Sequence, residues 1–381
     1  MPMRIAFFHH SLIVGSGIDT GLYELARRIG KVHDVTVVTF KSDYESIEPA
    51  ALEILPTAVV PPEGMGRYGV VDLRAWAMAR RILRKQDVVN VHTYPANLLA
   101  YRIPDVYHVA TAWGSVDPGL FPTFPQRMYI RIATRAEAAY ARSADLVIAP
   151  CRFTARWVID RFGVVPETMY LDGINFEVFD RARVDPAPIV QRYPILRPGP
   201  LLLFVGRITP SRNLETLIEA FAIVRERFPT AVLGIVGKES DPVYARYLRD
   251  LAARKNLSAA VLFTGVVPWD ELAQLYSACV VYVSPSLWEG FLRAEAFAMS
   301  KPMVAFDVAA NPDTIEDGRN GLLVRGRRPA DLAAAICCLL NEPAMARRMG
   351  ENGYAWAREY LDFGKIADRF AGLLESRVLG R

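Results

Sequence analysis

The chain has 381 residues, more than one hydrophobic core usually serves, so two domains are expected. Its composition, 52% hydrophobic and 23% charged, excludes the disordered, collagen-like and coiled-coil classes. A net charge of +4 without a block of like charges gives no argument for nucleic acid as a partner, and four cysteines without CxxC spacing indicate reduced thiols in a cytoplasmic protein.

Short apolar runs alternate with longer helical patterns along the chain, which predicts parallel sheets with crossover helices. In the first half a helix is predicted near residues 20–29, and the strand candidates are 4–8, 35–39, 88–92 and 144–150. A proline-rich junction, 185–200, precedes a second set of strand candidates at 201–205, 231–236, 261–263, 280–284, 302–305 and 321–324. The pattern predicts two doubly wound domains whose facing sheets bind ligands outside the carboxyl ends of their strands.

Two arginines follow the first strand of the second half, in the segment VGRITPSRNLETLIEAF. Gly206 and Arg207 end the strand, Arg212 comes five residues later, and a periodic helix begins. Helix amides and the helix dipole attract anions, and arginine binds phosphate in a bidentate fork, so the segment favours a diphosphate site. Two solvated surface arginines are the alternative interpretation.

Two glutamates follow a later strand, in the segment SPSLWEGFLRAEAFAMSKPMVA. Glu289 lies on a predicted loop and Glu295 in the first turn of the next helix. A carboxylate at a helix start is often only a favourable partner of the helix dipole. It can also accept both hydroxyls of a ribose, as in many nucleotide sites. Together with the two arginines, it favours a nucleotide site.

These segments resemble the retaining glycosyltransferases of family four, or group 1, which adopt the GT-B fold. The resemblance covers nearly the whole chain, because ADLVIAPCRFTARWVIDRFGV, DVVNVHTYPANLLA, TMYLDGINFEVF, VLFTGVVPWDELAQLYSACVVYVSPSLWEGF and DTIEDGRNGLLV also match the family. It implies an α/β GT-B protein of two facing Rossmann-like domains with an interdomain cleft. Residues 1–176, with 358–381 as a returning C-terminal helix, would form the acceptor side, and 177–357 would bind the nucleotide-sugar.

The resemblance also implies the reaction and its partners. A hexose would move from a UDP- or GDP-type sugar donor to a hydroxyl of a glycan or lipid-linked acceptor, with retention of configuration and without a metal ion. The nucleotide-sugar is a substrate, so no cofactor is expected. The alternatives are a non-catalytic GT-B scaffold or binding protein and a GT-B sugar-nucleotide epimerase.

The resemblance assigns roles to individual residues. Arg207 and Arg212 would bind the donor diphosphate, and Glu295 would hold the ribose. Glu289 would lie near the donor sugar, and His92 would face that sugar from the N-terminal domain. The expected catalytic residues are His92, Arg207, Arg212 and Glu289. The expected donor-binding residues are Gly15, Ser16 and Gly17, as a flexible loop over the phosphates, with Gly206, Arg207, Arg212, Arg293 and Glu295.

The chain departs from the family between its two glutamates, where five residues stand in place of the usual seven. That loop normally offers backbone amides to phosphate and sugar, so an unusual sugar pocket is expected. Arg293 in the shortened loop either supplies the missing positive charge or points to solvent. The family's GGxPE turn reads AANPD at residues 309–313, and the loss of two glycines removes easy access to positive φ.

Three further features of the sequence carry weaker signals. GSGIDTG after the first strand lacks a third glycine at the spacing of a dinucleotide fingerprint, which argues against NAD. The histidines have no spacing suited to a metal, so all except His92 are expected in the core or behind the site. Residues 72–87 form a basic amphipathic pattern with Trp76. Such a helix either makes peripheral contact with the inner membrane surface or, as is more frequent, packs on its own sheet.

Overall fold

The computed structural model divides the chain into two compact units. The first comprises Met1–Gly173 and Phe363–Arg381, and the second Ile174–Asp362. The structure describes residues 2–14, 17–56, 73–114, 124–197, 199–290 and 293–380. The assignment of an acceptor side to the first unit and a donor side to the second stays a prediction.

The described part of the first unit contains a sheet of seven parallel strands. The strands are β1 (Arg4–Phe8), β2 (Asp34–Thr39), β3 (Ala51–Ile54), β4 (Val88–Val91), β5 (Tyr107–Thr111), β6 (Leu146–Ala149) and β7 (Glu167–Thr168). Their order in the sheet is β3-β2-β1-β4-β5-β6-β7. In β1, Ile5 and Phe7 enter the core on one side of the sheet, and Ala6 and Phe8 enter it on the other. Burial on both faces explains why these strands are apolar without alternation.

Helices cover both faces of this sheet. In the first part of the unit they are α1 (Gly17–Ile29), α2 (Leu73–Leu83), α3 (Ala96–Ala100), α4 (Phe124–Ser143) and α5 (Arg152–Phe162). In α1, Leu22, Leu25, Ala26 and Ile29 recur at helical spacing and are all buried against β1 and β2. The apolar stripe that predicted this helix is therefore its packing face.

The second unit contains a six-stranded parallel sheet. Its strands are β8 (Leu201–Val205), β9 (Val232–Val236), β10 (Val261–Gly265), β11 (Cys279–Ser284), β12 (Met303–Phe306) and β13 (Gly321–Val324), in the order β10-β9-β8-β11-β12-β13. The described helices of the unit are α6 (Ala187–Arg192), α7 (Leu214–Arg227), α8 (Pro242–Arg254), α9 (Trp269–Ala278), α10 (Glu295–Ala298), α11 (Asn311–Thr314), α12 (Pro329–Asn341) and α13 (Pro343–Tyr360). None of the helices in the described ranges is long and apolar enough to cross a membrane.

The strand order reverses at one point in each sheet. In the first unit β1 lies beside β4, and in the second β8 lies beside β11. Ligands of doubly wound sheets bind outside the carboxyl ends of the strands that flank such a reversal. The segments that follow these four strands are therefore where a site is expected.

The last helix, α14 (Phe363–Val378), returns to the first unit and packs on α1. It begins at Phe363 and not at Arg358, as the sequence suggested. Arg358 still belongs to α13, and the Ile174 amide donates to the Leu361 carbonyl at 2.6 Å, which separates the two helices.

The prediction of two doubly wound α/β domains is confirmed, and most predicted strands lie within two residues of their observed bounds. Sequence reasoning missed β3, β5 and β7. The reason is clearest in β5, because His108, its second residue, interrupts the apolar run. The His108 ring is satisfied locally by the Tyr140 hydroxyl at 3.0 Å and the Ile103 carbonyl at 2.8 Å.

Candidate active site

The loop after β8 carries the two predicted phosphate ligands. Gly206 and Arg207 follow the strand directly, Arg207 is exposed, and a short 3-10 turn ends at Arg212 before α7 begins. Sequence reasoning expected open amides at the start of α7. The first of these is occupied, because the Leu214 amide donates to the Tyr244 hydroxyl at 2.8 Å. One of the amides expected to bind an anion is therefore already engaged within the protein.

Arg212 reaches across to the loop after β11. Its guanidinium donates to a carboxylate oxygen of Glu289 and, at 3.3 Å, to the Ser286 hydroxyl. Both charged side chains are mostly shielded from solvent. An ion pair in this setting is screened less than a surface pair, so Arg212 holds Glu289 in a defined position.

A second ion pair follows at the start of α10. The Arg293 guanidinium donates to Glu295 Oε1 at 2.9 Å. The other carboxylate oxygen, Glu295 Oε2, is buried and has no hydrogen-bond partner in the described part of the chain. A buried acceptor without a hydrogen bond lowers the stability of the fold by about 1–3 kcal/mol. A hydrogen bond from a ligand hydroxyl would restore that stability.

The two ion pairs belong to one cluster around Tyr282 of β11. Burial, with the nearby carboxylates of Glu289 and Glu295, raises the Tyr282 pKa, and both arginines oppose that shift. The Tyr282 hydroxyl donates to the Val205 carbonyl at 3.3 Å and joins β11 to β8. The structure thus brings four of the predicted residues together where the strand order reverses. In this state the two positive charges are balanced by two carboxylates.

Tyr276 of α9 also lies close to Glu295 and Tyr282. Sequence reasoning did not identify this residue. Its hydroxyl is buried and has no hydrogen-bond partner among the described residues. Burial and the carboxylate of Glu295 raise the Tyr276 pKa well above its usual value, so the hydroxyl keeps its proton. A tyrosine inside an apolar helix pattern carries no signal that separates this position from ordinary core.

The AANPD turn at residues 309–313 contacts the backbone of Glu289. The Ala310 amide donates to the Glu289 carbonyl at 3.1 Å. Ala309 has φ of 47°, in the left-handed region that glycine adopts most easily. The turn therefore has a positive φ even though glycine, which reaches that conformation easily, is absent. The turn keeps the conformation, at a cost of about 1–2 kcal/mol for a residue with a β-carbon.

Ala309→Gly is expected to stabilise the fold by about 0.5–1 kcal/mol, because the relief of strain exceeds the entropy that glycine loses on folding. The free energy of unfolding from a denaturant titration measures the change. The matched control is Ala310→Gly, because Ala310 has φ of −86° and gains nothing from glycine. A loss of stability in the Ala309 variant would contradict the strain assignment.

His92 follows β4 in the first unit and is buried. Its Nδ1 accepts a hydrogen bond from Trp113 Nε1 at 3.2 Å, and its Nε2 has no partner in the described part of the chain. Burial, and secondarily the nearby His9, lower the His92 pKa well below its usual value. The ring is therefore neutral at physiological pH.

A polar network lies beside His92, at the carboxyl ends of β1 and β4. His9 Nε2 contacts Asp19 Oδ1 at 2.9 Å, and the other Asp19 oxygen accepts the Ile13 amide at 2.7 Å. The Thr93 hydroxyl contacts the rings of His9 and His10, at 3.0 and 2.7 Å. Sequence reasoning missed this network. The only signal for it was the presence of polar residues directly after two predicted strands.

Of the predicted loop over the phosphates, Gly17 is the first residue of α1, while Gly15 and Ser16 lie outside the described residues. Within the described ranges, no group of three or more His, Cys, Asp or Glu side chains is arranged to hold a metal ion.

Two family models match the chain. The model for Glycosyltransferase Family 4 matches residues 15–171, and the model for Glycosyl transferases group 1 matches residues 189–356. The D-inositol 3-phosphate glycosyltransferase of Streptomyces bingchenggensis is 28% identical, over 96% of this chain and 85% of the relative. The enzyme of the same name from Frankia alni is also 28% identical, over 90% of this chain and 91% of the relative.

Solved structures share the fold over nearly the whole chain. HepE of Anabaena in complex with UDP has a TM-score of 0.83 at 20% identity, covering 98% of this chain and 100% of that one. Sucrose-phosphate synthase of Thermosynechococcus elongatus has a TM-score of 0.81 at 22% identity, covering 100% of both chains.

The fold and the matches define a glycosyltransferase of the GT-B class that uses a nucleotide-sugar. The chain belongs to the group 1 glycosyltransferases of family four. The family and the fold class predicted from the sequence are thereby confirmed.

Proposed function

We propose that the protein moves a hexose from a UDP-sugar to an acceptor hydroxyl with retention of configuration and without a metal ion. The observation that carries the proposal is the cluster of Arg212, Glu289, Arg293 and Glu295 at the strand-order reversal, with one Glu295 oxygen left for a ligand hydroxyl. Uridine is preferred over guanosine because the HepE complexes contain UDP and UDP-glucose.

In the proposed reaction the bond between the anomeric carbon and the diphosphate oxygen breaks. The acceptor oxygen forms its bond to the same face of that carbon, and its proton passes to the departing diphosphate. Arg207 and Arg212 would stabilise the charge that develops on the leaving group, which is the largest contribution in reactions of this kind. A guanidinium carries five donors, so Arg212 can serve a phosphate while it keeps Glu289 in place.

The other proposed roles are those that the resemblance to the family implies. Glu295 would accept the ribose hydroxyls with the oxygen that has no partner in the described chain, and Glu289 would lie beside the donor sugar. His92 would face the sugar from the first unit, and Gly206 would let the backbone approach the donor. Residues 15–17 would cover the phosphates. The acceptor would be a glycan or a lipid-linked hydroxyl.

A panel of nucleotide-sugars tests the proposal. UDP and one UDP-hexose should raise the melting temperature, because a ligand at 100 times its Kd adds about 2.7 kcal/mol of stability. The best donor is then incubated with glycan, lipid-linked and inositol 3-phosphate acceptors, the last chosen from the names of the relatives. NMR of the product reports the anomeric configuration. Stabilisation by GDP alone would overturn the choice of base, and nucleotide binding without release from any donor would favour a scaffold.

Turnover is expected to survive exhaustive chelation, because Arg207 and Arg212 supply the positive charge that a metal ion would otherwise provide. The measurement is the rate of UDP release before and after treatment with EDTA. A rate that collapses with chelator and returns with magnesium or manganese would refute metal independence.

A further inference from the structure

Helix α4 leaves apolar side chains on its outer surface. Phe124 is 64% exposed, Met128 36% and Ile132 46%. Their spacing of four residues places them in one stripe along the helix. Arg131 and Arg135 are exposed and lie three residues after Met128 and Ile132, respectively, so they flank the same stripe.

The opposite side of α4 packs against the core of the first unit through other residues. Ala138, Tyr140 and Ala141 are buried in the cluster that packs on one face of the first sheet. None of the three stripe residues belongs to that buried cluster.

Helix α2 repeats the arrangement, and it packs on its own sheet as the more frequent alternative expected. It packs on the sheet through Ala75, Ala79 and Leu83, with Ile82 partly buried against the same core. Leu73 is 84% exposed and Trp76 46%, with the Arg80 guanidinium 5.3 Å from the Trp76 ring. Leu73 and Trp76 are thus on the outer side of the helix, while Ile82 and Leu83 face the core.

The two helices form one surface. Helix α3 contacts both α2 and α4 and exposes Leu98. All three pack on the same core cluster, so their outer sides lie over the same face of the first sheet. Crossover helices run antiparallel to the strands, so both helices begin near the edge at which the strands end. The exposed apolar residues at their N-terminal ends therefore lie towards the edge that carries His92.

The charged residues of this surface are almost all basic. The described residues of α2 include no acidic side chain, and α4 has a single one, Glu137. Burial raises the Glu137 pKa to about 7, which reduces its negative charge at neutral pH. The exposed basic residues of the two helices and the turn after α2 are Arg74, Arg81, Arg84, Lys85, Arg131, Arg135 and Arg142.

We propose that the outer faces of α2 and α4 dock on an anionic lipid bilayer. The apolar side chains enter the boundary between headgroups and acyl chains, and the arginines meet lipid phosphates. A nucleic acid would engage the arginines but would leave Leu73, Met128 and Ile132 without apolar partners. This surface is independent of the chemistry proposed above.

Vesicle co-sedimentation of the full chain tests the proposal, with phosphatidylcholine vesicles and with vesicles that also contain phosphatidylglycerol. The protein should bind only the anionic vesicles. The triple variant Arg81→Glu, Arg131→Glu and Arg135→Glu should bind at least about 100-fold more weakly, since each basic residue near the surface contributes roughly fivefold. The matched control is Arg325→Glu, Arg327→Glu and Arg348→Glu, which changes the net charge equally on exposed positions of the second unit.

A second variant, Met128→Ser with Ile132→Ser, should also weaken binding while its melting temperature stays near that of the wild type. The proposal is overturned by no binding to anionic vesicles, by equal losses in the charge variant and its control, or by preferential binding of single-stranded DNA. If the protein binds vesicles but releases no UDP from any donor, the membrane proposal stands and only the proposed reaction is contradicted.

Discussion

Arg207→Ala is expected to lower donor turnover by about 100- to 1000-fold, as does the loss of one preorganised donor at a developing negative charge. Arg207 is exposed on the loop after β8, so its removal should leave stability nearly unchanged. The measurement is kcat with the best UDP-hexose. Arg325→Ala is the matched control, because it removes an exposed arginine of the same unit. Turnover at the wild-type rate in the Arg207 variant would show that the phosphates lie elsewhere.

Arg212→Lys should be far milder, with a loss of less than about tenfold, because the positive charge beside Glu289 is kept while the fork geometry is lost. Arg212→Ala differs from both variants. It leaves the mostly shielded carboxylate of Glu289 without its cation, so stability should fall together with turnover. Comparing kcat with the free energy of unfolding across the three variants separates phosphate binding from the support of Glu289.

Glu295→Gln is expected to weaken the affinity for UDP by about 10- to 100-fold, which is the range for the loss of hydrogen bonds to a charged group. Calorimetric titration with UDP, and with an analogue that lacks both ribose hydroxyls, measures the effect. The analogue should bind the wild type and the variant equally if the carboxylate contacts those hydroxyls. Glu289→Gln should instead lower turnover more than UDP affinity.

The substitution at Glu295 also releases Arg293, so Arg293→Gln is the necessary control. If that control weakens UDP as much as Glu295→Gln does, the guanidinium and not the carboxylate is the nucleotide ligand. An equal loss for UDP and its dideoxy analogue would likewise remove the ribose assignment.

The sequence was most informative where a single segment carries both a structural and a chemical signal. The apolar run at residues 201–205 predicted β8, and the GR-x4-R pattern after it predicted the loop and the start of α7. The observed bounds agree with this prediction. The buried strands of parallel sheets are continuous apolar runs, so they stand out from their surroundings. The position of Glu295 in the first helical turn was read in the same way.

Contacts between distant segments could not be predicted. Arg212 and Glu289 are 77 residues apart, and their pairing depends on the side-by-side arrangement of β8 and β11. The pairing of Arg293 with Glu295, two residues away, was also missed, because spacing alone does not say which way a loop residue turns. Asp19 has the position of an ordinary acidic residue in a first helical turn, yet it is buried against His9.

The contact between Trp113 and His92 limits what the histidine can do with a proton. An indole nitrogen can only donate a hydrogen bond, so the lone pair of the His92 ring is on Nδ1 and is already engaged. A neutral imidazole in that tautomer carries its hydrogen on Nε2. His92 can therefore polarise a hydroxyl or an anion, but it has no free lone pair with which to act as a general base. The proton released when an acceptor hydroxyl reacts has to be taken by another group.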